Sequence, residues 1–411
     1  MTTVEILRIA AGGDGVGRLP DGMAVFVPRS APRDVLAVEI TERKARFARA
    51  RLVRIESAGP TRVSPPCPHY QADQCGGCQL QHLDPDGQRA AKSAIIGDAL
   101  RRLGRRTVDD PPVEAAPAVW RYRTKLTLAV SADRRTVGLR PLHRPQEVFE
   151  LDDCLIAAEP LMECWHRVRA LRHLLPDGTT HLVLRLDRTG RLHLGVQGGM
   201  PPWDAEPLAK AAGGDISVWW QPARGAARVM AGPQPGFPAL AFTQTSPALA
   251  ERIRAEAIEA LAPTAGKTVW DLYGGVGDSA RALTVAGAHV WSVDADRSAV
   301  EWAESHPSPE GMSQPPRFLH ARVEEALHRL PPPDAVLLNP PRTGGHPALF
   351  KALERLAAGG VARRVAYVSC DPATLARDLA RLPTYALRQL RAYDLFPQTS
   401  HVETLTVLEA T

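Results

Sequence analysis

The stretch Val365–Leu379, V-A-Y-V-S-C-D-P-A-T-L-A-R-D-L, decides how this chain is read. A run rich in β-branched residues ends in Ser369 and Cys370, and Asp371-Pro372 then opens a helix-like segment. That puts one cysteine at the C-terminal end of a buried strand, where open α/β sheets carry their chemistry. A thiol there is a nucleophile once its pKa is lowered, and the N-terminus of the following helix is expected to lower it. Free cysteine is also a common core residue, so this segment alone leaves both readings open.

The surrounding pattern extends the same architecture. From about residue 241 strands and helices alternate: Thr268–Leu272, the glycine-rich turn Tyr273–Gly277 and a helix to Ala286, then His289–Val293 ending in Asp294 and a helix to about Ser305. Ala335–Leu338 runs into Asn339-Pro340-Pro341-Arg342, Leu349–Ala357 is helical, Arg364–Val368 leads to Cys370, and Tyr385–Tyr393 with Val402–Leu408 form a closing hairpin. This predicts an α/β, doubly wound, Rossmann-like domain over residues 241–411. Residues 1–57 read as a small β-barrel with strands at Val4–Ile9, Ala24–Val27, Val35–Ile40 and Phe47–Ile55 and a loop around Gly12, Gly13, Gly15 and Gly17. Residues 58–240 read as a mixed α+β domain, with helices at Gly87–Leu103 and Glu159–Leu175 and antiparallel strands at Lys125–Val130, Thr136–Leu139, His181–Leu186 and Leu192–Val196. The Pro- and Gly-rich stretch Gly198–Gly236 is left undetermined by pattern.

The chain has 411 residues, 44% hydrophobic and 23% charged, which fits a soluble protein of two or three domains. Its net charge of +5 is mild, but the basic residues cluster. Arg43, Lys44, Arg46, Arg49, Arg51 and Arg54 form one run, Arg101, Arg102, Arg105 and Arg106 a second, and Arg121, Arg123 and Lys125 a third. Three runs in the N-terminal third favour a nucleic-acid surface, with Arg49 and Arg51 on one strand face. Neither a signal peptide nor an apolar run near the roughly 20 residues of a membrane helix is present, so a cytoplasmic protein without membrane contact is expected. Six cysteines in that compartment point to metal or chemistry rather than disulfides.

Three motifs carry chemistry. Asp271-Leu272-Tyr273-Gly274-Gly275-Val276-Gly277 joins a strand to a helix, and Asp294 ends the next strand, where an acid binds both ribose hydroxyls of an adenosine. Nicotinamide and S-adenosylmethionine (SAM) sites share this logic; the acid before the glycines and the later Pro-Pro element favour SAM. Asn339-Pro340-Pro341 matches amino-group methyltransferases, but Arg342 stands where they carry an aromatic. Cys67, Cys75 and Cys78, spaced C-x7-C-x2-C, indicate a metal site, with Cys154 or Cys164 as fourth ligand. Zinc and a [4Fe–4S] cluster are both compatible. Cys164 falls in an amphipathic helix and reads as packing. Glu403, in an apolar run, is either solvent-facing or a base aimed at the site.

Together these residues resemble the RNA uracil-5-methyltransferases of the RumA/TrmA type over nearly the whole chain. Gly15-Val16-Gly17 and Val25-Phe26-Val27-Pro28 resemble a TRAM (OB-like) barrel, Tyr122-Arg123-Thr124-Lys125 a central-domain motif, and Phe242-Thr243-Gln244 an element whose Gln contacts SAM. The most specific matches are Ser369–Asp378 and Asp394–Glu403. The resemblance implies Cys370 as nucleophile and Glu403 as base. It places Gln244, Tyr273, Gly275, Asp278, Asp294 and Asn339 around SAM and substrate, and Cys67, Cys75, Cys78 and Cys154 on a [4Fe–4S] cluster. It departs in three places: a longer first cysteine gap, Asn339 for a usual Asp, and Asp278 for a common Asn. The implied product is 5-methyluridine, formed by a monomer in 23S ribosomal RNA, with tRNA the alternative substrate and an RNA amino-methyltransferase the alternative activity.

Overall fold

The computed structural model describes residues 1–234, 236–238, 244–262, 265–306 and 314–411. Contacts divide the chain into two compact units. The first comprises Met1–Gln88, Pro117–Leu240 and Pro397–Ser400; the second comprises Arg89–Ala116, Ala241–Phe396 and His401–Thr411. The linear pattern misses both exchanges. Arg89–Ala116 enters the second unit through the strand Val113–Glu114, which pairs in parallel with Ala392 and Tyr393 and is too short to show periodicity.

The first unit opens with a closed five-stranded barrel, Thr2–Ile9, Gly15–Arg18, Ala24–Val27, Val35–Arg43 and Phe47–Ser57. Alternation drives it: Val4 and Ile6, Val25 and Val27, Leu36 and Val38, Ala48 and Ala50 point inward. Gly15 and Gly17, expected in a loop, lie in a strand instead. A Cβ at Gly15 would collide with Ser30 and Ile6, and one at Gly17 with Val4 and Glu5, so the small barrel leaves no room for side chains there. Arg49 and Arg51 are exposed as expected, but strand register sets them opposite Glu42 and Glu39, with which they pair. Arg43 pairs with Asp21 and Arg54 with Glu56. The basic run is therefore a charge-laced face. Exposed pairs of this kind contribute only about 0–1 kcal/mol, so a phosphate can displace them at small cost.

The unit also holds a seven-stranded sheet in the order Arg228–Ala231, Ser217–Gln221, Leu192–Gly198, Thr179–Leu186, Lys125–Val130, Val137–Leu139, Phe149–Glu150. Its first two strands come from the stretch that pattern left undetermined. The helix Glu159–Val168 stops short of Leu175: Pro176 forces Leu175 into extended backbone, and Arg169–Leu174 tightens into a 3-10 turn. Leu161, Met162, Cys164, Trp165 and Val168 are its buried face, so Cys164 is core packing.

The second unit is built on an eight-stranded sheet in the order Arg317–His320, His289–Asp294, Thr268–Leu272, Ala335–Leu338, Arg364–Ser369, Glu403–Ala410, Tyr385–Tyr393, Val113–Glu114. The first five strands are parallel, and the apolar run Ala335–Leu338 is buried at every position, as covering both faces of such a sheet requires. The helices Pro247–Leu261, Asp278–Val285, Arg297–Ser305, Pro347–Ala358 and Pro372–Leu379 connect or cover them. Strand order reverses between Thr268–Leu272 and Ala335–Leu338, and such a switch point opens a ligand crevice beyond the strand ends. Among the described residues no helix is long and apolar enough to cross a membrane.

Candidate active site

Tyr273, Asn339 and Cys370 directly follow the C-terminal ends of three of the parallel strands, and Asp294 ends a fourth. The registers Leu272↔Val293, Leu272↔Leu338 and Leu338↔Tyr367 set these residues along one sheet edge. The antiparallel strand Glu403–Ala410 begins at the same edge. Ser369 lies opposite Thr404, whose Oγ1 donates to the Ser369 carbonyl at 3.0 Å. Continuing that register by one residue sets Cys370 against Glu403.

Glu403 is 1% exposed, which removes the solvent-facing reading, and its Oε2 has no hydrogen-bond partner. Burial pushes its carboxyl up to about 8, and Arg342 acts in the opposite direction. Cys370 is half-buried. Burial, and then the neighbouring Glu403, push its thiol up to about 11, opposed by Arg342. The expected lowering by the helix N-terminus is thus overridden. Asp371 caps that helix, accepting the Thr374 N–H at 2.7 Å, and its own carboxylate is one of the charges raising the thiol. Arg342, exposed on the loop after Asn339, is the cation shared by both groups.

The neighbouring strand ends form a cradle. Gly275 adopts φ 55° and a Cβ there would meet nothing within 4 Å, so the turn leaves open space beside a backbone that a ligand can approach. Asp294 accepts the Gly275 N–H at 2.8 Å and the Asp296 N–H at 2.7 Å, fixing its carboxylate at the strand end. Asp271 beneath the turn is fully buried; burial raises it to about 7 and the Ser292 hydroxyl donates to it at 3.0 Å. Asp278 is engaged by Arg254 at 3.1 Å. The Tyr273 hydroxyl is 3.5 Å from the His346 N–H. Gln244 is half-buried ahead of the helix Pro247–Leu261, while Phe242 and Thr243 lie outside the described residues.

In the first unit Cys67, Cys75, Cys78 and Cys154 line a single cavity of about 190 Å³, with His69, Gln81 and Arg123. The long first gap is taken up by a helical turn, Pro68–Gln71, and Cys75 N–H returns to the His69 carbonyl at 3.0 Å. Burial raises Cys75 to about 11 and Cys78 to about 12, and the neighbouring cysteines add to both shifts. The Gly77 N–H points at the Cys75 sulfur at 3.4 Å. Among the described residues no group of three or more His, Cys, Asp or Glu is arranged to hold a metal ion.

Two elements around the edge escaped the sequence reading. Asp378 is buried and bonded to the loop after Arg342, and Lys92 is buried in an ion pair with Asp394. A lysine among the apolar residues Ala91, Ile95 and Ile96 was the available signal for the second.

Comparison with known proteins agrees with this architecture. Residues 2–53 match the TRAM domain and residues 331–411 the tRNA (uracil-5-)-methyltransferase family. The chain is 30% identical to the 23S rRNA (uracil(1939)-C(5))-methyltransferase RlmD of Shewanella halifaxensis, over 99% of this chain and 95% of the relative. It is 32% identical to an uncharacterized RNA methyltransferase of Streptomyces coelicolor over 99% and 92%. The crystal structure of Pyrococcus abyssi tRNA (uracil-54, C5)-methyltransferase with S-adenosyl-L-homocysteine superimposes with a TM-score of 0.74 at 25% identity, covering 98% of this chain and 99% of that one. With identity of this order running the length of the chain, the protein belongs to the SAM-dependent RNA (uracil-C5)-methyltransferases.

Proposed function

We propose that the protein forms 5-methyluridine in 23S ribosomal RNA through a covalent bond between Cys370 and uracil C6, with Glu403 removing the C5 proton. The observation that carries this reading is the opposition of Cys370 and Glu403 across paired strand ends, with Arg342 acting on both. Uracil C5 is too weak a nucleophile to take a methyl unaided. Addition of the Cys370 thiolate at C6 turns the ring into an enolate and makes C5 nucleophilic. SAM supplies the electrophilic methyl that C5 takes. Glu403 then accepts the C5 proton as the bond to Cys370 breaks and the thiolate is released. The enolate's charge is cancelled as C5 takes the methyl from the sulfonium. Glu403, ionised by loss of its own proton to solvent, then accepts the C5 proton and its negative charge passes to the departing Cys370 thiolate, with Arg342 the fixed counter-charge at both stages. The uracil must leave its stack to reach this edge, which favours a loop or refolded RNA segment.

The open turn at Gly275 and the held carboxylate of Asp294 fit SAM, with Tyr273, Asn339 and Gln244 around it. Asp278 acts there at second hand, since Arg254 already engages it. Four buried thiols on one cavity also fit a [4Fe–4S] cluster held by Cys67, Cys75, Cys78 and Cys154. Its place beside the barrel, in the same unit, supports a structural or RNA-contacting role. The protein acts as a monomer in the cytoplasm on this reading.

The test is methyl transfer from tritiated SAM to fragments of 23S rRNA and to tRNA transcripts. Label in 5-methyluridine from the rRNA fragment supports the proposal. Label confined to tRNA moves the substrate to the class of the Pyrococcus enzyme. Label on an exocyclic amine would revive the Asn339-Pro340-Pro341 reading.

A further inference from the structure

We propose that Asp378 is a positioning residue that, with Thr374 and Arg377, clips the loop carrying Arg342 onto the helix following Cys370 and so fixes the arginine against the thiol; this rests on Cys370 being the nucleophile. Thr374, Arg377 and Asp378 are spaced i, i+3, i+4 on the helix Pro372–Leu379 and share one face. Each holds a successive piece of the loop. Thr374 Oγ1 donates to the Arg342 carbonyl at 3.0 Å, Arg377 Nη2 donates to the Thr343 carbonyl at 2.5 Å, and Asp378 Oδ2 accepts the Gly345 N–H at 2.9 Å. Asp378 is 0% exposed; its Oδ2 also accepts the Tyr367 hydroxyl at 2.9 Å, from inside the strand that leads to Cys370. Its Oδ1 accepts from Arg381 at 2.7 Å. Gly344 makes the approach possible: it adopts φ 84°, and a Cβ there would collide with the Asp378 carboxylate, Thr374 and Arg377.

The consequence concerns electrostatics rather than packing alone. The Arg342 side chain is exposed, and its charge acts on Cys370 and Glu403. On an unanchored loop that charge would spread over many positions. Held at its own carbonyl and at the next residue's, it is preorganised for the thiolate and the enolate. The same helix begins two residues after Cys370, so a single turn sets the spacing between nucleophile and cation.

The experiment uses the full-length, cluster-loaded protein and the variants Thr374→Val, Asp378→Asn and Arg342→Gln. Alkylation of Cys370 by iodoacetamide is followed by mass spectrometry across pH, beside kcat, KM and thermal midpoint. The proposal expects the alkylation midpoint to move up in Thr374→Val and Asp378→Asn, in the direction of Arg342→Gln. It expects kcat to fall about ten- to hundredfold, the scale of a small misplacement, with KM for SAM unchanged. In the Arg342→Gln background Thr374→Val should add nothing, since both act through one cation. Folded variants with wild-type midpoints and kcat, or full additivity with Arg342→Gln, overturn it. Thr374→Val decides the matter if Asp378→Asn does not fold. Activity retained in Cys370→Ala would instead strike the nucleophile assignment, so the two failures are distinguishable.

Discussion

Replacing Glu403 by Gln should stabilise the protein while ending catalysis, and the gain should grow with pH. An ordinary glutamate ionises at 4.5, whereas burial holds Glu403 near 8. Between these values the unfolded chain has lost the proton and the folded chain keeps it. Folding therefore takes up a proton, and stability falls as pH rises through this window. At about 1.36 kcal/mol per pKa unit the whole displacement is worth about 5 kcal/mol, of which about 3 has been lost by neutral pH. Gln fills the same space without titrating, so the variant should equal the wild type below about pH 4.5 and gain steadily up to about pH 8. For a unit of this size each kcal/mol moves the thermal midpoint by about 2–4 °C. Paired denaturation curves at about pH 4.5 and pH 8.5, read on the transition of the second unit, measure the difference of differences. A gap that does not change with pH, or a variant less stable than the wild type at high pH, would refute the reasoning. The same carboxyl should be only about one-tenth ionised at neutral pH, so release of the methylated uracil from its Cys370 adduct should rise about tenfold per pH unit below 8.

Other expectations follow from single contacts. Cys75→Ser should lose bound iron and the visible absorbance of a thiolate-held cluster while keeping SAM affinity, as read by metal analysis and calorimetry; a wild type holding zinc would overturn the iron assignment. Lys92→Met leaves the buried Asp394 carboxylate without its partner and should cost about 3–5 kcal/mol in a urea titration. Asp294→Ala removes the carboxylate held by the Gly275 N–H. It should weaken SAM binding by about 1.5–3 kcal/mol, the worth of hydrogen bonds to a charged group, with calorimetry as the check.

The parts of this molecule legible in its sequence are those where local pattern and burial agree. Ala24–Val27, Lys125–Val130, Thr268–Leu272, Ala335–Leu338 and Tyr385–Tyr393 form at their expected bounds because each is a short apolar or alternating run closed by turn residues. The edge that gathers Tyr273, Asp294, Asn339 and Cys370 was equally legible, since parallel strands deliver whatever follows them to one side. What stayed hidden depends on contacts distant in sequence. Val113–Glu114 is a strand only because Ala392 and Tyr393 lie beside it. The neutralisation of Arg49 and Arg51 needs the register that brings Glu42 and Glu39 opposite. The thiol shift at Cys370 reversed its expected sign because local helix logic omits Glu403, thirty-odd residues away along the chain, and the capping carboxylate of Asp371. Asp378 was visible only as one letter of a motif; its place as the hub of a loop clip emerges once Gly345, Tyr367 and Arg381 converge on it.

The proposed mechanism turns on the covalent bond between Cys370 and uracil C6. The most direct measurement incubates cluster-loaded protein and SAM with 5-fluorouracil-substituted 23S rRNA fragments, followed by a denaturing gel. Fluorine occupies the position of the C5 proton and cannot leave as a cation, so release from the enzyme is blocked after methyl transfer. A shifted protein–RNA band that survives denaturation and is absent in Cys370→Ala is the expected result. An unshifted wild type, or a Cys370→Ala variant that still methylates unsubstituted RNA, would contradict it.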